Sequence, residues 1–233
     1  MAADLGRTGL NGERGATSRR ELLRLGAGGL LAAGMAGAAS AQGIGPSILG
    51  TAREQGDQVR AAGLARVNPV LLERAKAALA RNRRVTHRDV IAIADYGRPS
   101  SLPRFHIVDL VAGRTSDYLV AHGRGSDPEH LGWLQYWSNA PGSLASSRGA
   151  YMTGERYTGR YGLSVRLDGL DYSNDLARER AIVVHGADYV GRHMIAEYGK
   201  LGRSEGCFAV PNDELYGIMA RLGPGHMIYA DKV

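Results

Sequence analysis

Residues 203–211 read Arg203-Ser204-Glu205-Gly206-Cys207-Phe208-Ala209-Val210-Pro211 and contain the only cysteine of the 233-residue chain. Upstream, an apolar run from Ala181 to Val184 ends at His185-Gly186, which predicts a short buried strand. A thiol becomes a strong nucleophile once it is deprotonated, and a histidine within hydrogen-bond distance accepts its proton. His185, held rigidly at a strand end, is therefore the predicted partner of Cys207.

The residues beside Cys207 suit the same chemistry. Gly206 allows a sharp turn, so that backbone amides near Cys207 can point at a developing oxyanion. Ser204 is a candidate to orient the His185 imidazole. Taken singly, a lone cysteine is more often a small buried apolar residue, and a strand-end histidine is more often a structural hydrogen-bond partner.

The composition narrows the classes of function. Lys and Arg number 29 against 23 Asp and Glu, a formal charge of +6, and 44% of positions are hydrophobic, which excludes a wholly disordered chain. One cysteine excludes an intramolecular disulfide and any cysteine-rich zinc or iron–sulfur site. The basic residues form no blocks and are not interleaved with aromatic residues, so nucleic-acid binding is not expected.

Residues 1–41 have the features of an export signal. Arg19-Arg20 precede a weakly hydrophobic, Gly/Ala-rich run from Leu25 to Ala39, and Ala39-Ser40-Ala41 offers a signal-peptidase site. This pattern predicts a cleaved twin-arginine signal and a location in the periplasm or cell envelope, with an uncleaved anchor or a basic amphipathic helix as alternatives. No segment of the mature chain predicts a transmembrane helix. A thiol retained outside the cytoplasm invites oxidation, which makes a catalytic use of Cys207 more persuasive.

The mature chain predicts a linker or arm over 42–67 and one domain over 68–233. Asn68-Pro69 is typical of a helix start, and leucines and alanines at helical spacing continue to Arg84. Beyond this helix, short apolar or alternating stretches separated by Gly and Pro predict strands. These features indicate a mostly β sandwich or barrel with peripheral helices. The predicted elements are strands at 90–94, 105–111, 118–121, 151–167 (paired), 181–184 and 227–230, and a helix at 212–222 capped by Asn212.

The His-Gly strand end followed by a Ser-x-Gly-Cys loop resembles the catalytic signature of the L,D-transpeptidases, the cysteine enzymes that remodel peptidoglycan. Further tracts are similar to a divergent branch, the murein L,D-transpeptidase catalytic domain proteins, over about residues 68–230. These tracts are His122-Gly123-Arg124-Gly125-Ser126, Ser138-Asn139, Ser146-Ser147-Arg148-Gly149, Gly159-Arg160-Tyr161-Gly162, Leu167-Asp168-Gly169-Leu170 and 180–187.

The resemblance implies the mostly β L,D-transpeptidase fold, peptidoglycan stem peptides as substrate and no cofactor. It implies Cys207 as nucleophile, His185 as general base and acid, and amides around Gly206 and Cys207 as oxyanion hole. Many family members have a second His where this chain has Glu205, and an Arg where it has Ala209. Without that Arg, substrate binding is assigned to Gly186 and to two candidate replacements, Arg203 and Arg148.

Three alternatives remain from the sequence. The same site could serve an L,D-carboxypeptidase, or the fold could have become a non-catalytic wall-binding protein. A zinc hydrolase using His122, His130 or His193 is the weakest, because these residues and the pair His193 and Glu197 match no recognised metal-ligand spacing. No metal is therefore predicted, and three further histidines are interpreted as structural: His87, His106 and His226.

Overall fold

The computed structural model describes residues 63–64 and 66–233. The predicted export signal at 1–41 and nearly all of the predicted arm at 42–67 lie outside the described residues. None of the helices in the described part is long and apolar enough to cross a lipid bilayer.

The predicted first helix, α1, spans Pro69–Arg81. The Asn68 side-chain oxygen accepts hydrogen bonds from the amides of Val70 (3.0 Å) and Leu71 (3.4 Å), and Pro69 fills the first turn, where no amide partner is needed. The helix ends three residues before the predicted Arg84, because the backbone becomes extended at Asn82. Its buried face is the predicted one: Leu71, Leu72, Ala75, Ala78 and Leu79.

Eight strands form one mixed sheet in the order β3-β2-β1-β8-β4-β5-β6-β7, which confirms a mostly β fold. The β1–β8 and β6–β7 pairs are parallel, and the other neighbouring pairs are antiparallel. The strands are β1 Val90–Asp95, β2 Phe105–Asp109, β3 Arg114–Tyr118, β4 Gly149–Gly159, β5 Gly162–Gly169, β6 Val183–Gly186, β7 Phe208–Val210 and β8 Met227–Asp231.

Some elements differ from the prediction. The third strand is the polar segment Arg114–Tyr118 rather than 118–121, because an edge strand needs little apolar surface. Helix α2, Arg192–Tyr198, was not predicted. None of its residues is buried, so its sequence shows no clear apolar face. Helix α3, Leu215–Arg221, has Glu214 at its N-cap, and the predicted cap was wrong: the Asn212 amide group donates to Asp188 instead (2.6 Å).

Alternate residues of the central strands fill two cores on opposite faces of the sheet. Ile91 and Ile93 of β1 pack toward α1, whereas Ala92 and Ala94 face the cluster that includes α3. Phe208 of β7 is buried in this second core, with its ring edge-on to Tyr151 at 5.2 Å. Anchoring Phe208 in one core directs its neighbours along the chain to the other face.

We predict that Asn68→Ala destabilises the domain by about 1 kcal/mol, because two amides of the first helical turn lose their acceptor. Urea unfolding followed by circular dichroism measures the change. Asn68→Asp keeps a capping oxygen and should be close to wild type. Equal stability of Asn68→Ala and wild type would contradict the capping role.

Candidate active site

The predicted nucleophile and base are brought together by the parallel pairing of β6 and β7. In the register, Val184 is opposite Phe208 and His185 is opposite Ala209. Cys207 directly precedes β7 and therefore lies beside Val183. Side chains two residues apart on a strand share a face, so Cys207 and His185 face the same side of the sheet. Both line a cavity of about 330 Å³, together with Arg160, Tyr161, Arg180, Ala181, Tyr189, Arg203, Ser204 and Glu205.

Two contacts fix the orientation of the His185 imidazole. Its Nδ1 lies 2.8 Å from the carbonyl oxygen of Gly186, and its ring stacks on Tyr161 with centroids 4.4 Å apart. A carbonyl only accepts, so Nδ1 carries the proton and Nε2 keeps a lone pair for an incoming proton. Burial lowers the pKa of His185, and the bond to Gly186 partly offsets this. The ring is thus a neutral base of fixed tautomer.

The Cys207 thiol is buried, with 7% of the residue exposed. Within residues 66–233 its hydrogen-bond acceptor is the carbonyl of Ala181, 3.7 Å from Sγ, rather than His185. Burial raises the pKa of the thiol, the carboxylate of Glu205 raises it further, and the Val183 amide and Arg180 act in the opposite direction. The resting pair is therefore a neutral thiol and a neutral imidazole.

Ser204 holds the cysteine loop and does not orient the imidazole, contrary to the prediction. Its Oγ donates to the Cys207 carbonyl (2.7 Å) and accepts from the Gly206 amide (3.2 Å). The Gly186 carbonyl has the orienting position instead. Because the Gly206 amide is already bonded to Ser204, the Cys207 amide is the remaining candidate donor to an oxyanion. Gly206 has φ +111°, a conformation that requires glycine.

These residues lie in a segment that matches a family model. The model for the L,D-transpeptidase catalytic domain matches residues 65–230. The chain belongs to this family. No curated protein matches the chain significantly.

Several solved structures are similar at low identity. An L,D-transpeptidase from Mycobacterium smegmatis is 13% identical, with 61% of this chain and 58% of that one covered and a TM-score of 0.38. L,D-transpeptidase 3 from Mycobacterium tuberculosis is 11% identical, with 61% of this chain and 61% of that one covered and a TM-score of 0.39. Bd1075 from Bdellovibrio bacteriovorus is 16% identical, with 60% of this chain and 47% of that one covered and a TM-score of 0.37. The chain thus spans roughly half to three fifths of the length of these relatives.

In this L,D-transpeptidase domain the three predicted substrate-binding residues have different positions. Arg203 lines the cysteine cavity, where its guanidinium donates to the carbonyls of Asp127 and Pro128. Gly186 lacks room for a side chain, because a Cβ would lie 2.2 Å from Asn212 Oδ1. Arg148 is not in the cavity: it pairs with the buried Asp231 at 2.6 Å, so its predicted role there is wrong.

The position where many family members have an arginine is apolar here. Ala209 is fully buried against the side chains of Leu119, Ala121, Val190 and Leu201. A guanidinium would have no polar partner among these apolar neighbours, and an unpaired buried charge is costly. The arginines that line the cavity are instead Arg160, Arg180 and Arg203.

Sequence reasoning missed several residues that build the cavity. Tyr161 supports the His185 ring, and the Arg160 guanidinium lies 5.4 Å from the Tyr161 ring centroid. Arg180 donates to the carbonyls of Ser138 (3.0 Å) and Ala145 and so fixes the long loop at the cavity. Arg160 and Tyr161 stand in the turn that joins β4 to β5, and only their place in a resemblance tract signalled them.

The long loop at 122–150 is mostly irregular, with one 3-10 turn at Arg124–Ser126. Its two tryptophans, Trp133 and Trp137, have different surroundings. Trp137 contacts the core and lies edge-on to Tyr96 with centroids 5.6 Å apart, whereas Trp133 is 48% exposed.

A buried polar network lies next to the cysteine loop. The Arg104 guanidinium contacts His122 Nδ1 at 2.7 Å, and His122 Nε2 lies 3.2 Å from Asp127. Arginine only donates, so Nδ1 is the acceptor, Nε2 carries the proton and His122 is neutral. Burial, with repulsion from Arg104, lowers the pKa of His122 to about 3. The His122 carbonyl accepts the Ser204 amide (2.9 Å), which connects this network to Cys207.

The histidines of the zinc-hydrolase alternative do not converge within the described residues. Both His122 nitrogens have protein partners, and His130 Nε2 lies 2.8 Å from the Leu201 carbonyl oxygen. His193 and Glu197 are exposed on α2. The structure therefore gives this alternative no support.

Glu205→Gln should lower the pKa of the Cys207 thiol, because it removes a negative charge that disfavours the thiolate. Glu205 is about half exposed and pairs with Arg124 at 2.9 Å, so we expect only about a twofold faster alkylation by iodoacetamide at neutral pH. Mass spectrometry of samples quenched at successive times measures the alkylation rate. Glu73→Gln, on the exposed face of α1, is the matched control, and a slower reaction of Glu205→Gln would refute the assignment.

The buried neutral His122 should make the domain less stable in mild acid. Its pKa is lower in the folded than in the unfolded state, so the unfolded chain binds the extra proton and stability falls as pH decreases from about 6.5 toward 3. His185 and His226, whose pKa values burial also lowers, add to the loss. Urea unfolding at pH 7, 6 and 5 should show a shallower pH dependence for His122→Gln. An unchanged slope would contradict the neutral, buried state.

Proposed function

We propose that this L,D-transpeptidase domain is an exported cysteine acyltransferase that acts on peptidoglycan stem peptides. The main support is one observation: Cys207 and His185 line the same cavity, with the His185 tautomer set by the Gly186 carbonyl. Family membership gives the substrate class, and the arginines of the cavity give it a positive lining suited to a peptide carboxylate.

The first half-reaction forms a thioester. Nε2 of His185 takes the proton of Cys207 as the sulfur bonds to the carbonyl carbon of an L,D peptide bond, after a residue like meso-diaminopimelate. The oxyanion is stabilised by the Cys207 amide. When the carbon–nitrogen bond breaks, His185 returns the proton to the departing amine, and D-alanine leaves. Since thiol and imidazole both rest uncharged, proton transfer accompanies the attack on the substrate instead of preceding it.

The second half-reaction resolves the thioester with an amine or with water. An amine of a neighbouring stem gives a cross-link, which makes the enzyme a transpeptidase. Water releases a shortened stem, which makes it an L,D-carboxypeptidase at the same site. In either case His185 takes a proton from the acceptor and returns it to the thiol.

Export is part of the proposal, because peptidoglycan lies outside the cytoplasmic membrane. It rests on the twin arginines and small-x-small site of residues 1–41. A twin-arginine signal would place the mature chain in the periplasm or cell envelope.

A non-catalytic wall-binding protein is the second candidate, and a specific observation favours it. A catalytic thiol usually has a lowered pKa, whereas burial raises the pKa of Cys207. Reactivity toward an acylating substrate separates the two candidates, because a binding protein has no need of an accessible thiol.

Incubation of the full chain with a carbapenem, and separately with a disaccharide tetrapeptide, should give a covalent adduct by intact-protein mass. The resemblance implies the carbapenem, a β-lactam that acylates the cysteine of this family. Cys207→Ala should give no adduct, and His185→Ala should lower the acylation rate at least about 100-fold, the usual scale for losing a general base.

His193→Ala is the matched control, since this histidine is exposed on α2 and does not line the cysteine cavity. Circular dichroism verifies that each variant is folded. The tetrapeptide products then separate cross-linking from trimming. No adduct with folded, reduced wild type would favour the wall-binding protein.

A further inference from the structure

Three side chains outside the cysteine cavity form a cluster of potential metal ligands. His87, Asp89 and His226 each offer one ligand atom, and these atoms lie within 4.8 Å of one another. His87 and Asp89 precede β1, and His226 precedes β8. Because β1 and β8 are parallel neighbours, with Ile91 opposite Met227, the two segments meet where these two central strands begin.

The cluster is separate from the proposed active site. In the sheet order, β4, β5 and β6 lie between β8, which follows His226, and β7, which follows Cys207. Four strand spacings of about 4.8 Å therefore separate the two sites across the sheet. The residues that line the cysteine cavity include none of His87, Asp89 and His226.

The backbone holds the two segments together without any ion. The carbonyl of Gly225 accepts the amides of Thr86 and His87, both at 3.0 Å. Gly225 has φ +86°, and a Cβ there would lie 2.1 Å from Thr86 Oγ1, so only glycine permits this approach. The His226 amide donates to Thr153 Oγ1 at 2.9 Å, which fixes the segment to β4.

The hydrogen bonding of the His226 ring leaves one nitrogen able to bind a metal ion. Its Nδ1 lies 2.8 Å from the Gly223 carbonyl oxygen, so Nδ1 donates its proton and Nε2 carries the lone pair. A histidine that ligates a metal almost always has its other nitrogen bonded in this way. The His87 ring stacks on His226 with centroids 4.6 Å apart and an interplanar angle of 12°.

One ion can bind after the side chains move closer together. Bonds of about 2.0–2.2 Å at tetrahedral angles place two ligand atoms roughly 3.3–3.6 Å apart, so the cluster contracts by about 1 Å. His87 and Asp89 are exposed, and their side chains can rotate to supply this shift. The His87 ring leaves its stack on His226 as it rotates, because an imidazole lone pair lies in the plane of its ring. The guanidinium of the intervening Arg88 is directed away, to the carbonyls of Leu79 and Asn82 at the end of α1.

We propose that His87, Asp89 and His226 bind one zinc-class divalent cation. Two imidazole nitrogens and one carboxylate oxygen are a ligand set that Zn²⁺ accepts, with the fourth position open to water. The ion would tie the segment before β1 to the segment before β8 at the centre of the sheet. The two histidines, interpreted as structural in the sequence, thus gain a partner in Asp89. The site does not rest on the proposed acyl transfer.

Calorimetric titration of the full chain with ZnCl₂ tests the proposal. The protein carries no polyhistidine tag, is stripped with a chelator, and contains Cys207→Ala so that the thiol does not compete as a ligand. We expect one saturable equivalent and a higher midpoint of thermal unfolding with Zn²⁺. Substitution with Co²⁺ should give the intense visible absorption of a four-coordinate site.

Asp89→Asn and His87→Gln should each weaken Zn²⁺ binding at least about 10-fold and abolish the thermal shift, because each removes a ligand. Both residues are exposed, so the metal-free variants should unfold as the parent does. His193→Gln, exposed on α2, is the control and should bind as the parent. Binding that is unsaturable, or that is unchanged in both ligand variants, would overturn the proposal. Carbapenem acylation of the chain with Cys207 tests the other site independently.

Discussion

The cysteine site depends on the parallel pairing of two very short strands. β7 has only three residues and lies at the edge of the sheet, so its own ladder contributes little stability. Burial of Phe208 between Tyr151, Phe105 and Tyr96 supplies what the ladder lacks. An aromatic side chain in one core therefore sets the direction of the thiol on the opposite face. The register then places His185 beside it without any direct bond between the two reacting groups.

Burial determines the charge state of the polar groups around this site. Both Cys207 and His185 are shifted toward their neutral forms, and His122 is held neutral between a buried guanidinium and a carboxylate. Arg104 keeps its charge in the interior because carbonyls, His122 and the face of Tyr96 surround it, although burial lowers its pKa to about 10. The reacting pair is thus uncharged at rest, although arginines line the cavity around it.

The sequence predicted those parts of the molecule in which local pattern and burial agree. The helix capped by Asn68, the buried strand at Val90 and the pairing of a His-Gly strand end with the cysteine loop all follow from spacing and side-chain type. Strand β3 was misplaced because its polar residues lie at an edge, and the cap at Asn212 failed because that side chain bonds to Asp188. Contacts between segments that are distant in the chain could not be predicted from the local sequence pattern. Arg180 reaches the loop at Ser138, and His226 meets His87 only because β1 and β8 are neighbours.

The position of β8 has a consequence for how the chain acquires its structure. This strand lies between β1 and β4, in the middle of the sheet, yet it is the last of the eight to be synthesised. Until it emerges from the ribosome, β1 and β4 lack the neighbour that joins β3-β2-β1 to β4-β5-β6-β7. Completion of the sheet therefore needs a strand that pairs on both sides with segments distant in the chain, a long-range step. A chain that stopped before Met227 would expose β1 and β4 as unpaired edges in addition to β3 and β7, and unpaired edges are the form of β structure most prone to pair with other chains.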